Sequence, residues 1–337
     1  MKAVNISGIN QVHLVEKMKP VPQKGEVLLK IKYVGFCGSD LNTFLGKNPM
    51  VKLPVIPGHE ISAIVEETTD SVPDTIREGM RCTVNPYTSC GICPSCRNGR
   101  TNACQFNQTF GVQRDGAMSE YIAVPWQKVI ADDAISSLHL TLVEPMSVGF
   151  HAVSRASVTD LDIVMVIGCG MIGLGAIIRA ALRGARVIAV DIDDEKLLLA
   201  KSLGALHTIN SAAADLHSIL MEITQNMGPD VVIEAVGAPA TYRMAIDEVA
   251  FTGRVVCIGY AKSEVSFETK YFVSKELDIR GSRNALPEDF RAVMEYVKRN
   301  NIPETLISGI YPPEKAEEAL VYWSQNAGKV FRIFIEF

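Results

Sequence analysis

Four cysteines, Cys90, Cys93, Cys96 and Cys104, fall within fifteen residues in the spacing C-x2-C-x2-C-x7-C, and they are half of the chain's eight. Thiolates are soft ligands that suit tetrahedral zinc at about 2.3 Å, and short loops let one segment wrap a single ion. Gly91, Pro94 and Gly99 stand between or beside the ligands, where tight turns need residues that tolerate them. An iron–sulfur cluster also takes four thiolates, but the ferredoxin spacings differ from this one. Disulfide pairing is the plainer alternative, and nothing marks the chain for export. A zinc closed on all sides by protein leaves no position for water or substrate, so this site is expected to be structural.

A second donor set is dispersed: Cys37-Gly-Ser39-Asp40, then Gly58-His59-Glu60, then Glu144-Pro145. Taken singly, Cys37 reads as core, His59 as a satisfied loop histidine and Glu144 as a surface acid. Together they offer one sulfur, one imidazole and two carboxylates, the mixed set of a catalytic zinc that keeps an exchangeable position.

A third feature is Gly168-Cys169-Gly170-Met171-Ile172-Gly173, which follows an apolar strand and opens a helix. In that context G-x-G-x-x-G is a dinucleotide site. The first glycine permits the turn, the second lets backbone approach a pyrophosphate, and the third lets helix and strand pack closely. Asp191, at the end of the next strand, is placed to accept both ribose hydroxyls. Ile192 follows it and no arginine stands adjacent for a 2′-phosphate, so NAD is favoured over NADP.

The elements that must hold these residues fall into two styles. The first 150 residues carry short alternating runs, such as 25–38 and 59–67, and read as a β-rich domain. From about Asp160 the pattern becomes strand, glycine turn, helix, strand, with strands expected at 163–168, 186–190, 230–234 and 254–259 and helices at 171–183, 193–203 and 239–250. Helices are expected again at 287–299 and 313–323, each opened by a proline or acid, before a closing strand in VFRIFIEF. The fold class is therefore α/β. With 337 residues, 47% apolar and 21% charged, the chain has material for two cores. A net charge of −5 and no basic stripe argue against nucleic acid. No signal peptide or membrane span is evident, so a cytoplasmic protein is expected, with Cys82, Cys169 and Cys257 read as small buried hydrophobes.

In order and spacing, GFCGSD at 35–40, PGHE at 57–60, the four-cysteine lobe, EPMSVGFHA at 144–152 and the glycine motif resemble the zinc-dependent medium-chain dehydrogenases over the whole chain. Glu144 before Pro145 is similar to the sorbitol, or polyol, branch. The resemblance implies a GroES-like catalytic domain over 1–150, with its structural zinc lobe at 88–106. A Rossmann doubly wound NAD-binding domain over 151–284 and a return segment over 285–337 would complete it. It implies two zinc ions per chain, one structural and one catalytic. Cys37, His59 and Glu60 would surround the catalytic zinc, with Glu144 as a ligand or as a partner of bound water or substrate. Zinc would lower the pKa of a substrate hydroxyl while the carbon-bound hydrogen leaves as hydride to the nicotinamide. Ser39 matches the family's proton-passing hydroxyl, whereas the family's relay histidine is Asn42 here, and asparagine takes up no proton. Arg283, in a GSRNALPEDF run that resembles bacterial L-galactonate, L-gulonate and L-idonate 5-dehydrogenases, is expected near substrate, where its fork suits a carboxylate or several hydroxyls. The implied substrate is a polyol or sugar acid, with sorbitol, a smaller diol or threonine as alternatives, and a cofactor-binding protein without catalysis as a remote one. The implied assembly is a homodimer or homotetramer.

Overall fold

The structure is a computed structural model that describes residues 1–337. The chain divides into two units, Met1–Glu144 with Leu286–Phe337 and Pro145–Ala285.

The first unit begins with a two-stranded ribbon of β1 (Lys2–Gly8) and β2 (Gln11–Glu16). Then come β3 (Glu26–Phe36), α1 (Gly38–Phe44), β4 (Glu60–Thr68), β5 (Arg81–Val84), α2 (Pro94–Arg97), β6 (Tyr121–Pro125), β7 (Val129–Ala131) and α3 (Ser137–Leu140). Strand β3 organises the sheet because both of its edges are used. β4 pairs along nearly all of one edge, β6 takes residues 26–30 on the other, and the last strand of the chain takes residues 33–36. Most of β3 is buried accordingly, and Phe36, Ile31, Leu29, Ile61 and Val65 form the centre of this unit's core. α4 (Val143–Arg155) carries the chain across the boundary between the units.

The second unit is a six-stranded parallel sheet. In chain order it contains β8 (Ile163–Ile167), α5 (Met171–Leu182), β9 (Arg186–Asp191), α6 (Asp194–Ser202), β10 (His207–Asn210), α7 (Leu216–Ile223), β11 (Val231–Glu234), α8 (Pro239–Glu248), β12 (Arg254–Cys257), α9 (Lys270–Ser274) and β13 (Asp278–Gly281). The spatial order β10-β9-β8-β11-β12-β13 is that of a Rossmann sheet, and the strand order reverses between β8 and β11. β8 and β11 are buried throughout, as parallel strands covered on both faces must be, and they read as unbroken apolar runs.

The chain then returns to the first unit through α10 (Pro287–Arg299), β14 (Gly309–Tyr311), α11 (Ala316–Gln325) and β15 (Ile333–Glu336), which joins β3 antiparallel. The helix expected at 313–323 is displaced. Pro313–Lys315 forms a single 3-10 turn, and α11 starts only at Ala316, after consecutive prolines have fixed the entry. No helix is long and apolar enough to cross a membrane.

Candidate active site and metal centres

The four clustered cysteines converge. Their sulfurs lie within 4.8 Å of one another, and all are free thiols. Cys93 Sγ and Cys104 Sγ stand 3.8 Å apart, far beyond a disulfide bond of about 2.05 Å. The turns predicted for Gly91 and Gly99 are present, both with left-handed φ. Backbone N–H groups of Cys90 and Phe106 donate to Cys104 Sγ, and that of Cys93 donates to Cys90 Sγ, each at 3.3 Å. Such donors, with neighbouring thiols, draw the Cys93 thiol down to about 6, while burial and the adjacent sulfurs push Cys96 up to about 11. A set of sulfurs that cannot all ionise beside one another is completed by a divalent cation, and tetrahedral zinc fits.

The dispersed donors meet as well. Cys37 lies at the entry to α1, His59 immediately before β4 and Glu60 at its first residue, and one ligand atom from each lies within 4.8 Å of the others. Neighbouring residues of a strand point to opposite faces, so His59 and Glu60 reach one point only because His59 is outside the strand, turned there by Gly58 at φ +100°. The Asp40 carboxylate accepts the Cys37 backbone N–H at 2.8 Å and fixes the loop. Opposite Glu60 in the ladder is Gly35, where an added Cβ would stand 2.3 Å from Glu60 Oε2; only a glycine leaves room for that carboxylate.

Two residues not singled out in the sequence complete the surroundings. Arg332, just before β15, is buried with Nε 3.1 Å from Glu60 Oε2, an ion pair without hydrogen-bond alignment, while its Nη1 donates to Phe36 O at 3.1 Å. Its signal in the sequence is a cation set into the apolar run Val330–Ile335 that closes the chain. Tyr87 donates its phenol to Glu144 Oε1 and packs edge-on to Phe290, with ring centres 6.1 Å apart. Glu144, in the first turn of α4, thus stands outside the three-residue group, yet its charge favours the protonated forms of His59 and Arg332.

Burial alone would push the Cys37 thiol up, but His59 and the charge of Arg332 bring it down to about 7. Burial opposes a charged His59 and is overcome by Cys37, Asp40 and Glu144, which hold the imidazole well above its usual value. Burial likewise raises Glu60 against the pull of Arg332. Around the group, Ser39 Oγ, Asp40 Oδ1, His59 Nδ1 and both Glu60 oxygens are buried without hydrogen-bond partners. Orphaned polar atoms cost about 1–3 kcal/mol each, and five in one place mark a site whose ligand is a cation. The donor set of sulfur, imidazole and carboxylate fits zinc with a position left open.

In the second unit the glycine loop sits at the reversal of strand order. Gly168 has φ +95°, and a Cβ on Gly173 would stand 1.8 Å from Gly168 O. Gly170 precedes α5 with open space where a Cβ would be, followed by Met171 and Ile172 in the first turn, whose free N–H groups suit a pyrophosphate. Asp191 ends β9. It accepts the N–H of Cys169 at 2.6 Å, which fastens the loop to the acid, and the N–H groups of Ile192 and Asp193 at 2.8 and 3.2 Å. The loop and acid therefore fit a dinucleotide. Arg283 is exposed, two residues beyond β13. Cys82 and Cys169 are fully buried as expected, but Cys257 is only partly so: it ends β12, and burial raises its thiol to about 11.

Residues 23–133 match the model of the alcohol dehydrogenase GroES-like domain, and residues 172–299 match that of zinc-binding dehydrogenase. An uncharacterized zinc-type alcohol dehydrogenase-like protein of Haemophilus influenzae is 35% identical over 303 residues, 90% of this chain and 88% of its own. L-galactonate-5-dehydrogenase of Escherichia coli K12 is 33% identical over 87% of this chain and 86% of its own. Among solved structures, one described as a short chain alcohol dehydrogenase (rspB) from Escherichia coli CFT073, complexed with NADH, superposes with a TM-score of 0.91. It has 28% identity and covers 100% of this chain and 99% of that one. Two metal-fitting donor clusters, a dinucleotide loop and these likenesses have one reading: the chain is an enzyme of the zinc-dependent medium-chain dehydrogenase family, in its polyol and sugar-acid branch, with zinc and NAD as cofactors.

Proposed function

We propose that the protein oxidises a secondary hydroxyl of an acyclic polyol or sugar acid to a ketone, with hydride passing to NAD, and that an aldonate of the L-galactonate or L-gulonate type is its substrate. The observation that carries the reaction class is the cluster of orphaned buried polar atoms around Cys37, His59 and Glu60. The likeness to L-galactonate-5-dehydrogenase supports the substrate. Cys37, His59 and Glu60 hold the catalytic zinc, which when bound supplies the Lewis acidity that makes the hydroxyl easier to deprotonate. Ser39, whose buried Oγ has no partner of its own, takes the hydroxyl proton. Asn42 cannot accept it onward, so the proton leaves by cofactor ribose or water. Glu144, held by Tyr87, orients water or substrate hydroxyl beside the ion. Arg283 binds substrate hydroxyls or carboxylate. Cys90, Cys93, Cys96 and Cys104 hold the structural zinc. The enzyme acts in the cytoplasm as a homodimer or homotetramer, and its molar mass in solution, read by light scattering, decides between the two assemblies.

The decisive experiment is NADH formation by the zinc-loaded enzyme across aldonates, hexitols, vicinal diols and threonine. Turnover of L-galactonate or L-gulonate well above the rest is expected; good turnover of simple diols with none on hexonates would sink the sugar-acid reading. A second expectation concerns Gly35. Gly35→Ala places a methyl group on Glu60 Oε2, so the catalytic zinc should be held roughly 10- to 100-fold less tightly, as second-sphere changes generally do. Competition with a chelator reads this directly, and unchanged retention would show that Glu60 does not ligate the ion.

A further inference from the structure

Segments 50–55 and 112–115 of the first unit enclose a cleft of about 370 Å³, lined by Met50, Lys52, Val55, Gln113, Arg114 and Asp115 among others. This lies within the range of small-molecule sites. Its charges are unbalanced. The Asp115 carboxylate is committed elsewhere, accepting Ile56 N–H at 3.1 Å and pairing with Lys17 Nζ at 2.9 Å. Arg114 has no such partner. Its guanidinium lies 3.9 Å over the Phe110 ring, its Nε is buried without a hydrogen bond, and burial draws its pKa down with no carboxylate to restore it. Lys52 is exposed on the cleft's rim. In a chain of net charge −5, two cations therefore face one cleft without an acid of their own.

The cleft is also fixed relative to the metal ligands. Gly116, Met118 and Ala117 donate backbone N–H groups to Ile56, Pro57 and Gly58 at 2.7, 3.0 and 2.9 Å, so the 112–115 wall is zipped to the segment that leads into His59. The fit is close: a Cβ on Gly111 would stand 2.5 Å from Gly58 N, and one on Gly116 2.4 Å from Pro57 O. Val55 is four residues before His59, a span of at most about 14 Å even when fully extended. An arginine side chain and a six-carbon substrate together cover such a span.

We propose that Lys52 and Arg114 form the subsite for an oxyanion at the end of the substrate remote from the hydroxyl that is oxidised. The anion is the carboxylate of an aldonate or the phosphate of a polyol phosphate. Arg114, already stacked on Phe110, presents a planar fork to two of its oxygens, and Lys52 adds a point charge at the rim. The inference rests on the acyclic polyol reading above, and it leaves Arg283 the substrate's hydroxyls. These two are specificity residues: they bind the substrate end that does not react.

The test compares kcat/KM for an aldonate, a polyol phosphate and the neutral polyol of the same skeleton in wild type, Arg114→Gln and Lys52→Gln. Calorimetric binding of the aldonate and of inorganic phosphate to the same proteins accompanies it. The ratio of anionic to neutral kcat/KM is expected to fall roughly 10- to 100-fold in Arg114→Gln, mainly through KM, and less in Lys52→Gln, as loss of a charge-assisted bond predicts. Loss confined to the aldonate or to the phosphate identifies the anion. An equal fall on neutral and anionic substrates, or no fall, overturns the subsite. If no anionic compound is turned over, the sugar-acid reading fails, and calorimetry still decides the subsite: anion binding that Arg114→Gln leaves intact rejects it. Lys52 is exposed, so its variant folds even if Arg114→Gln does not.

Discussion

Cys37→Ser is expected to abolish NAD reduction while leaving the protein folded. The thiol is held near neutrality, down to about 7, by His59 and Arg332 against its burial, so it is available as a thiolate at physiological pH. A serine hydroxyl in that place remains protonated and is a poor zinc ligand. The fold has little reason to suffer. The Asp40 carboxylate accepts the backbone N–H of residue 37, which the substitution keeps, and serine is a good residue at a helix entry. Losing the ion removes a contribution of several kcal/mol to the transition state, or a fall in kcat/KM of about a thousandfold or more. Zinc content should drop from two to one per chain, one for each donor cluster, with the melting temperature within a few degrees of wild type. Activity unchanged by the substitution would refute a zinc mechanism centred on Cys37, and a large fall in melting temperature would mean that the residue is structural.

What the sequence revealed about this site followed from how each contact is made. The four cysteines and the glycine loop are local motifs whose spacing already contains their geometry: the four sulfurs lie within 4.8 Å of one another, and Gly173 packs on Gly168 too closely for a Cβ. The convergence of Cys37 with His59 and Glu60 depends on β3 pairing with β4, which brings residues 35 and 60 opposite each other. That register cannot be read from periodicity, and the resemblance to a family supplied it. Arg332 and Tyr87 were missed for the same reason. Arg332 reaches Glu60 only because the last strand of the chain lies antiparallel beside β3, and Tyr87 reaches Glu144, a residue 57 positions further along the chain. Elements with strong patterns and local punctuation are bounded where the sequence puts them: β8 ends before Gly168, α5 begins after Gly170 and α10 begins at Pro287. Short edge elements such as β10 and β13 gave no such signal. Each is four residues long and partly exposed, too little for alternation to register.

The cysteine lobe offers the opposite expectation. Cys104→Ser should cost stability before it costs chemistry. Cys104 is fully buried and its sulfur accepts two backbone N–H groups, from Cys90 and Phe106, so it is the centre of the lobe as well as a ligand. Between Thr88 and Phe106 the only regular structure is one short helix and one 3-10 turn, and the backbone hydrogen bonds within the segment are local ones such as Arg97 N–H to Cys93 O and Arg100 N–H to Ser95 O, which do not tie its ends together. Structural zinc contributes about 10–16 kcal/mol to the folding of isolated zinc-finger peptides. Here the surrounding unit has its own core, and the loss should be partial. A change of a few kcal/mol lowers the melting temperature by roughly 2–4 °C per kcal/mol in proteins of this size class. The ligands of the second cluster come from the junction between β3 and α1 and from the start of β4, none of which belongs to the lobe. Enzyme that remains folded should therefore keep one zinc per chain and most of its kcat. Loss of turnover at an unchanged melting temperature would exchange the roles of the two metal centres, whereas proteolytic cleavage confined to 88–106 in Cys104→Ser, and prevented in wild type, is the outcome the geometry requires.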